Sequence, residues 1–354
     1  MKHAARAVRT LIASALALSL VAACSRADAD NEPAATADKG PATELRLGYF
    51  PNVTHAAALV GLENGLFAKE LGDTKLVPTK FNDGPTAVGG LLGGSLDATF
   101  IGSGPAINAY AKSNGEAVRL IAGATSGGAQ LVVRPEITEP EDLAGKTVAT
   151  PALGNTQDVA LKKWLAEKGL TDEAEVTNLE NAQTLDAFKK GDVDAAWLPE
   201  PWSSRLVLDA GAKVLLDEAT LWPGGKFPTT VLIVRTQFLR EHPETVRKLL
   251  AGLVAAIDTT NSDQAAAKTA VNKQLKALTG KTLKPEVIDR AFSKIEVTVD
   301  PVAAQFPQLA KDQVSAGIAK DAPAVAGFAD LTALNEVLAK AGGPAVDAAG
   351  LDKK

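Results

Sequence analysis

The chain has 354 residues, of which 46% are hydrophobic, 22% charged and 5% aromatic. This composition excludes a disordered tail protein, a collagen-like fibre and a small disulfide-stapled scaffold. The net charge of −5 lacks the basic surplus of a nucleic-acid-binding protein. A single cysteine excludes an internal disulfide and, with only three histidines, argues against a structural metal site. The length is enough for about two globular domains.

The amino terminus has the pattern of an export signal, over residues 1–23. Lys2, Arg6 and Arg9 precede an apolar run that is too short to cross about 30 Å of hydrocarbon as a helix. The run ends in Leu-Val-Ala-Ala immediately before Cys24, which resembles the lipobox of bacterial lipoproteins. The resemblance implies cleavage before Cys24 and lipidation of its thiol. The alternative is an ordinary signal peptide with a chance cysteine.

Residues 24–43 are predicted to be a lipidated tether, because after Cys24 they contain only small, polar and charged side chains. No later segment has 18 uninterrupted apolar residues. We therefore expect an extracytoplasmic protein that is anchored to the bacterial cell membrane by lipid at Cys24.

Strands and helices alternate along the rest of the chain. Strands are predicted at 44–50, 75–81, 98–101, 119–124, 130–134, 146–150, 175–179, 195–198 and 231–235. Helices are predicted from residue 54 and over 85–94, 105–112, 156–168, 185–189 and 201–208, and the Ala-rich remainder is predicted to be helical. Strands separated by helices of about ten residues predict parallel α/β sheets.

The strand–helix pattern forms two similar blocks, which predict two lobes. Residues 44–133 with 232–350 are expected to form lobe 1, and residues 134–231 lobe 2. Crossovers near Val133 and Thr230 would then form a hinge between the lobes. The alternative is that the helical remainder forms a separate third domain.

Four segments occur in order along the chain: GYFPNVTH at 48–55, FIGSGPA at 100–106, LGNTQD at 153–158 and AAWLPEPW at 195–202. Together they resemble the nitrate/sulfonate/taurine class of solute-binding proteins of ABC importers, over about residues 45–240. The resemblance implies an α/β periplasmic-binding-protein type II fold, with a ligand cleft between two lobes and a two-strand hinge.

The same resemblance implies a receptor that delivers a small organic anion, most simply an aliphatic sulfonate, to the transmembrane subunits of an ABC permease. We expect a monomer that binds no nucleic acid, metal or cofactor. We also expect no catalysis, because no histidine, cysteine or serine stands in a recognisable nucleophile–base arrangement. An exported enzyme and a lipoprotein without a ligand are the alternatives from other classes.

The segments place polar residues where helices follow strands. Ligands bind beyond the carboxyl ends of the strands in open α/β sheets, where helix starts present unpaired N–H groups. The residues expected to bind the ligand there are Asn52, Ser103, Gly104, Asn155, Thr156 and Gln157. The alternative for Asn52, Ser103 and Asn155 is that they only cap helices.

Aromatic residues are expected to line the apolar part of the cleft. Tyr49 and Phe50 alternate along a strand, so one should face the cleft and the other the core. Trp197 is also expected in the cleft, although it follows an apolar strand and has a core position as its alternative. Glu200 lies between two prolines and would repel an anion. It is therefore expected either to cap the next helix, which we favour, or to contact a ligand N–H group.

His55 leads to a second hypothesis about the ligand. The pattern Pro-Asn-x-x-His at 51–55 also resembles the binding proteins for pyrimidine precursors of thiamine. That resemblance implies a flat heterocycle as the alternative ligand, in contact with His55 and the aromatic residues. Nitrate and taurine are further alternatives, and a polar residue in a first helical turn is the alternative role of His55.

Overall fold

A computed structural model describes residues 38–353. The predicted export signal, Cys24 and the tether up to residue 37 lie outside the described residues. The strands are Glu44–Tyr49 (β1), Lys75–Lys80 (β2), Ala98–Ile101 (β3), Val118–Gly127 (β4), Ala129–Val133 (β5), Thr147–Thr150 (β6), Glu175–Asn178 (β7), Ala195–Pro199 (β8), Lys213–Asp217 (β9), Pro228–Arg235 (β10) and Ile295–Val297 (β11).

The α-helices lie between and after these strands, and a short 3-10 helix, Val53–His55, follows β1. The α-helices are Ala56–Glu63 (α1), Leu66–Leu71 (α2), Gly84–Leu92 (α3), Ser103–Lys112 (α4), Thr156–Glu167 (α5), Asn181–Lys190 (α6), Trp202–Ala210 (α7), Thr236–Glu241 (α8), Pro243–Ser262 (α9), Gln264–Thr279 (α10), Pro285–Phe292 (α11), Phe306–Ser315 (α12) and Thr332–Lys340 (α13). Within residues 38–353, no helix is both long and apolar enough to cross a bilayer.

The strands form two sheets with the same internal order. The first sheet has the order β11-β4-β10-β3-β1-β2, and the second has the order β7-β6-β8-β5-β9. In each sheet, three strands that are linked through helices pair in parallel, and a fourth strand pairs antiparallel with the third. That fourth strand is β10 in the first sheet and β5 in the second, so each is supplied by chain that has just crossed between the sheets.

The two crossings lie side by side and are hydrogen-bonded to each other. The first is at Gly127 and Gly128, and the second is at Phe227, just before β10. Gly127 N–H donates to Phe227 O over 3.2 Å, and Thr229 Oγ1 donates to Gly127 O. Gly127 and Gly128 have φ angles of 76° and 79°, a backbone conformation that residues with a Cβ rarely adopt.

The crossing points differ from the lobe boundaries predicted from the sequence. Strand β5 was placed in the first lobe, but it pairs with β8 and β9 of the second sheet. Residues 228–231 were placed in the second lobe, but they belong to β10 of the first sheet. The physical reason is that β5 follows β4 after a single residue, and a buried apolar strand does not indicate which sheet it joins.

Each sheet is covered by helices on both faces. One continuous apolar core surrounds the first sheet and includes Leu47 and Phe100 from its strands and Leu253 from α9. Two smaller cores lie on the two faces of the second sheet, with Trp197 in one and Leu198 in the other. Successive residues of β8 therefore point into different cores, as expected for a strand that is buried on both faces.

The end of the predicted tether is held against the body of the protein. His242 Nδ1 lies 2.7 Å from Gly40 O, and Ala42 N–H donates to Thr245 Oγ1 over 2.8 Å. Ala42 is buried, and its carbonyl accepts a hydrogen bond from Thr74 Oγ1 over 2.6 Å. The prediction of a solvated tether up to residue 43 is therefore wrong for these last residues, because they find partners on α9 and before β2.

Candidate functional site

A small cavity lies where the carboxyl ends of strands from both sheets meet. Its volume is about 20 Å³, which is room for about one water molecule. The lining residues are Phe50, Asn52, Thr54, His55, Asn82, Gly102, Asn155, Thr156, Gln157, Asn181, Pro199, Thr229 and Thr230. They follow the ends of β1, β2 and β3 in the first sheet and of β6, β7 and β8 in the second, or begin β10. This is the position where open α/β sheets bind ligands.

Three helices begin at this cavity. Helix α4 starts at Ser103, α5 at Thr156 and α6 at Asn181. Each start presents backbone N–H groups without intrahelical partners and the positive end of a helix dipole. Asn52 and Asn155 occupy N-cap positions, but neither side chain makes a capping hydrogen bond. Both side chains line the cavity instead, so capping does not account for them.

Two buried polar atoms beside the cavity have no hydrogen-bond partner among the described residues. They are Asn181 Oδ1, in the cavity lining, and Ser103 Oγ, in the first residue of α4. Ser103 itself is fully buried and is not part of the lining; its neighbour Gly102 is. Buried polar groups are nearly always hydrogen-bonded, so an exception indicates a partner such as a water or a ligand.

The segment after β1 contributes a pair of rings in contact, tilted by 31° to each other, to the cavity wall. The ring centroids of Phe50 and His55 lie 4.6 Å apart, and Phe50 N–H donates to His55 Nδ1 over 3.4 Å. Burial lowers the pKa of His55 to about 3, so the ring is neutral near pH 7. Since Nδ1 accepts a hydrogen bond, the neutral ring carries its proton on Nε2, where it can act as a donor.

Tyr49, unlike Phe50, does not line the cavity. It is the last residue of β1 and packs in the core of the first sheet, and burial raises the pKa of its hydroxyl. The expectation that one of these two adjacent residues faces the cleft therefore applies to Phe50. Tyr49 is therefore not in a position to bind a ligand in this cavity, because alternation along β1 turns its side chain towards the core.

Trp197 also lies away from the cavity, contrary to the expectation that it lines the cleft. Its side chain is fully buried in the core of the second sheet, where it packs edge-on against Trp164 at a centroid distance of 6.2 Å. Its Nε1–H donates to Glu218 Oε2 over 2.7 Å. Burial raises the pKa of Glu218 to about 8. The partner that satisfies the indole is therefore a buried carboxyl group and not a ligand.

Glu200 has the structural role that its position between two prolines favoured. Its carboxylate accepts hydrogen bonds from Ser204 N–H and from Arg290 Nη1, each over 3.2 Å. The first of these bonds satisfies a free N–H in the opening turn of α7. Burial raises the pKa of Glu200, while the bonds from Ser204 and Arg290 oppose that rise. Glu200 is absent from the cavity lining, so it does not join the candidate binding residues.

Several hydrogen bonds connect the elements of the first sheet with those of the second around the cavity. Gly104 N–H donates to Thr156 Oγ1 over 3.2 Å, and Trp202 Nε1–H donates to Asn52 Oδ1 over 2.9 Å. A Cβ on Gly104 would lie 3.2 Å from the backbone of Thr156, so glycine permits this close approach. Gly104 thus holds the two halves together and does not line the cavity.

Arg290, on α11, makes a further set of such contacts. Its guanidinium donates to Ser204 Oγ over 2.7 Å and to Gln130 Oε1 over 2.8 Å, besides Glu200. Gln130 lies on β5, Glu200 directly follows β8 and Ser204 lies in the first turn of α7, so all three belong to the half of the molecule that holds the second sheet. Sequence reasoning missed Arg290 because nothing in an Ala-rich helical stretch indicates a partner 90 residues earlier in the chain.

Asp158 fixes the loop that presents Asn155 and Thr156. Its buried carboxylate accepts hydrogen bonds from Thr150 Oγ1, Gly154 N–H and Lys162 Nζ, each over 2.9 Å. These bonds connect the end of β6 to the first turn of α5. Asp158 was visible in the segment LGNTQD, and its carboxylate in a helix's first turn was the signal for this positioning role.

The lining of the cavity determines what it can bind. Its side chains are amides, hydroxyls, one proline, the phenyl ring of Phe50 and one imidazole that is neutral near pH 7, with no lysine, arginine or carboxylate. Together with the N–H groups of three helix starts, these side chains supply hydrogen-bond donors without a full charge. Such a site suits a small oxyanion that is held by hydrogen bonds and helix dipoles.

The sequence was compared with known families and proteins. Residues 38–273 match the model of the NMT1-like family. The taurine-binding periplasmic protein of Escherichia coli (strain K12) is 32% identical over 202 residues, which cover 56% of this chain and 61% of that protein. The match therefore spans less than two thirds of that relative.

Solved structures show the same fold. The alkanesulfonate-binding protein SsuA from Xanthomonas axonopodis pv. citri has a TM-score of 0.66 at 23% identity, covering 78% of this chain and 94% of that one. The periplasmic nitrate-binding protein NrtA from Synechocystis PCC 6803 has a TM-score of 0.70 at 17% identity, covering 84% and 89%. The predicted fold class, an α/β fold of the periplasmic-binding-protein type, is thereby confirmed.

Proposed function

Since the chain belongs to the NMT1-like family, we propose that it is the solute-binding receptor of an ABC importer for a small organic anion. One observation carries the proposal: the starts of three helices and a ring of uncharged donor side chains meet at one cavity between the two sheets. The names of the similar proteins, which bind taurine, alkanesulfonate and nitrate, support an anion.

A sulfonate is our first choice for the head group of the ligand. A sulfonate has three oxygens that accept hydrogen bonds and none that donates, which suits the amide N–H groups of Asn155 and Asn181 and the His55 Nε2–H at the cavity wall, while Asn181 Oδ1 would accept from water or from an N–H group elsewhere in the ligand. The charge would be stabilised by the α4, α5 and α6 dipoles. The absence of carboxylates from the lining residues favours an anion over a cation.

Binding is proposed to act through closure of two lobes. One lobe contains the first sheet, residues 44–127 and 228–350, and the other contains the second sheet, residues 128–227. The crossings at Gly127 and Phe227 would be the hinge, and the hydrogen bonds of Asn52 and Gly104 to the other lobe would hold the closed form. A ligand between the lobes shifts the population towards that form, which the permease would recognise.

The proposed location is outside the cytoplasm, at the bacterial cell membrane. The periplasmic relatives support export, and the anchor rests on Cys24 and the residues before it. Membrane fractionation tests the anchor: the full chain should sediment with membranes, and Cys24→Ser should release it. Sedimentation of both forms would contradict the lipid anchor.

Thermal unfolding with a panel of solutes tests the receptor function. The panel contains alkanesulfonates, taurine, nitrate and an aminopyrimidine, and a ligand at 100 times its Kd should raise the free energy of unfolding by about 2.7 kcal/mol. Asn181→Ala should weaken binding about tenfold, whereas Asn64→Ala, an exposed control outside the cavity, should not. If no solute in the panel stabilises the protein, the proposed ligand class is wrong.

A flat heterocycle is the second candidate ligand, because the rings of Phe50 and His55 both form part of the cavity wall. It would be favoured if the aminopyrimidine alone stabilised the protein. Phe50→Leu should then weaken its binding far more than it weakens the binding of any sulfonate, since stacking depends on an aromatic partner.

A further inference from the structure

A larger groove opens directly beside the inner cavity. Its volume is about 370 Å³, which lies within the range of pockets that hold organic ligands. Asn52, Asn82 and Asn181 line both the cavity and the groove. The two spaces therefore lie side by side and share these three amides in their lining, so a ligand bound at the inner cavity would extend into the groove by passing them.

The far wall of the groove is apolar. Leu275 and Leu278 come from the last turns of α10, and Leu283 comes from the loop between α10 and α11. Trp202, at the start of α7, lies among the lining residues from the second sheet's half of the molecule. Lys80, Lys281 and Glu180 also line the groove.

The loop that carries Leu283 is held in place before any ligand binds. Asn272 Oδ1 accepts a hydrogen bond from Leu283 N–H over 2.7 Å, and Asn272 Nδ2 donates to Leu283 O over 2.9 Å. The ring of Trp202 lies against the Arg205 guanidinium, 4.8 Å from the ring centroid, and its bond to Asn52 holds it in the closed form. A preformed apolar wall reduces the entropy lost on binding.

We propose that the groove binds the hydrocarbon tail of the anion whose head group binds at the helix starts, where the inner cavity of about 20 Å³ would widen to admit it. The ligand would then be an amphipathic organic anion with a tail of several carbon atoms, such as a longer alkanesulfonate. This inference rests on the proposed function, since it needs an anionic head group at the helix starts. Nitrate and the short sulfonate taurine would leave the groove wall in water and gain nothing from Leu275, Leu278 and Leu283.

Calorimetric titration with a homologous series, from methanesulfonate to hexanesulfonate, tests this proposal. Each methylene that enters the groove should lower Kd about fourfold. Leu278→Ala should flatten the dependence on chain length while leaving methanesulfonate binding within about twofold. The matched control is Leu239→Ala, a half-buried leucine that packs on the same core but does not line the groove; it should leave the dependence unchanged.

A second variant acts in the opposite sense. Leu278→Trp should fill part of the groove and weaken hexanesulfonate while sparing methanesulfonate. A wild-type Kd that does not change with chain length would overturn the tail site and leave the receptor function standing. If methanesulfonate and all longer members fail to bind, the head-group assignment itself is wrong, and the two failures are thus distinguished.

Discussion

Two segments that leave strand ends, 49–55 after β1 and 197–202 at the end of β8, were both expected to contact the ligand. The first does supply the cavity, with Phe50, Asn52 and His55 in its wall. The second supplies only Pro199 to the cavity, and Pro201 and Trp202 to the groove. Its two ligand-binding candidates, Trp197 and Glu200, have partners inside the protein.

The difference shows that a resemblance can identify a segment without fixing the direction of its side chains. Strand β8 lies between β6 and β5 and is covered on both faces. Trp197 therefore points into a core. Pro199, the last residue of β8, is the first residue of the segment that lines the cavity. In contrast, the short 3-10 helix after β1, Val53–His55, brings Thr54 and His55 into the cavity wall. The decisive observation for each polar group is whether it has a protein partner.

The largest effect should come from Trp197, the structural residue of the second segment. Trp197→Ala should lower the free energy of unfolding by about 3–5 kcal/mol, because it leaves a cavity in a packed core. It should leave the ligand Kd within about twofold at a temperature where the variant is folded. Denaturant unfolding and calorimetry measure the two quantities. A large loss of affinity in a folded variant would contradict the assignment of Trp197 to the core.

The next largest effect is on the pH dependence of the free energy of unfolding, which should have opposite signs for the buried groups in or in contact with the two segments. Burial raises the pKa of Glu218, the partner of Trp197, to about 8, above its ordinary value of 4.5. The folded protein then holds a proton that the unfolded chain releases, so the free energy of unfolding falls as pH rises from about 4.5 to about 8. For His55 the pKa is lowered to about 3 from 6.5. The unfolded chain binds the proton there, so stability rises between about pH 3 and 6.5.

Glu218→Gln tests this sign, since glutamine can still accept the Trp197 N–H bond without titrating. Between pH 6.5 and 8 the wild type should lose about 1.5 kcal/mol of stability through this group, and the variant should not lose it. The matched His55→Gln variant should change the slope below pH 6.5 only. Equal slopes above pH 6.5 in the wild type and in Glu218→Gln would show that Glu218 is ionised in the folded protein.

Much of the fold could be predicted because strand and helix periods are local properties of the sequence. The predicted strand 98–101 and the helix start at residue 156 agree with β3 and α5. Asn181 was missed because α6 was predicted from residue 185, four residues after its start. The rule applied to Ser103 and Asn155, a polar residue at the helix start after a strand, would have found it.

The remaining features depend on contacts between distant residues. The partner of Trp197 lies 21 residues later, and the partner of Glu200 lies 90 residues later. No local pattern marks such pairs. The leucines of the groove belong to an amphipathic stretch in which a core position and a ligand-facing position have the same spacing. Their proposed role follows only from the position of the groove next to the inner cavity.

The smallest expected effect concerns a hydrogen bond that joins the two segments. Trp202 Nε1–H donates to Asn52 Oδ1 over 2.9 Å, and this bond should form only when the proposed lobes are closed. Trp202→Phe keeps an aromatic wall but removes the donor, so we expect about 1 kcal/mol less stabilisation of the closed form. Ligand affinity should then fall about fivefold, while unfolding without ligand changes little.

A double-mutant cycle with Asn52→Ala isolates this bond from the other roles of both residues. Asn52 also lines the cavity, so Asn52→Ala alone removes more than one contact. If the bond contributes to closure, adding Trp202→Phe to Asn52→Ala should weaken binding less than it does in the wild type. Fully additive effects on Kd would mean that the two segments bind the ligand independently, and closure would then depend on Gly104 and Arg290 alone among the contacts described above.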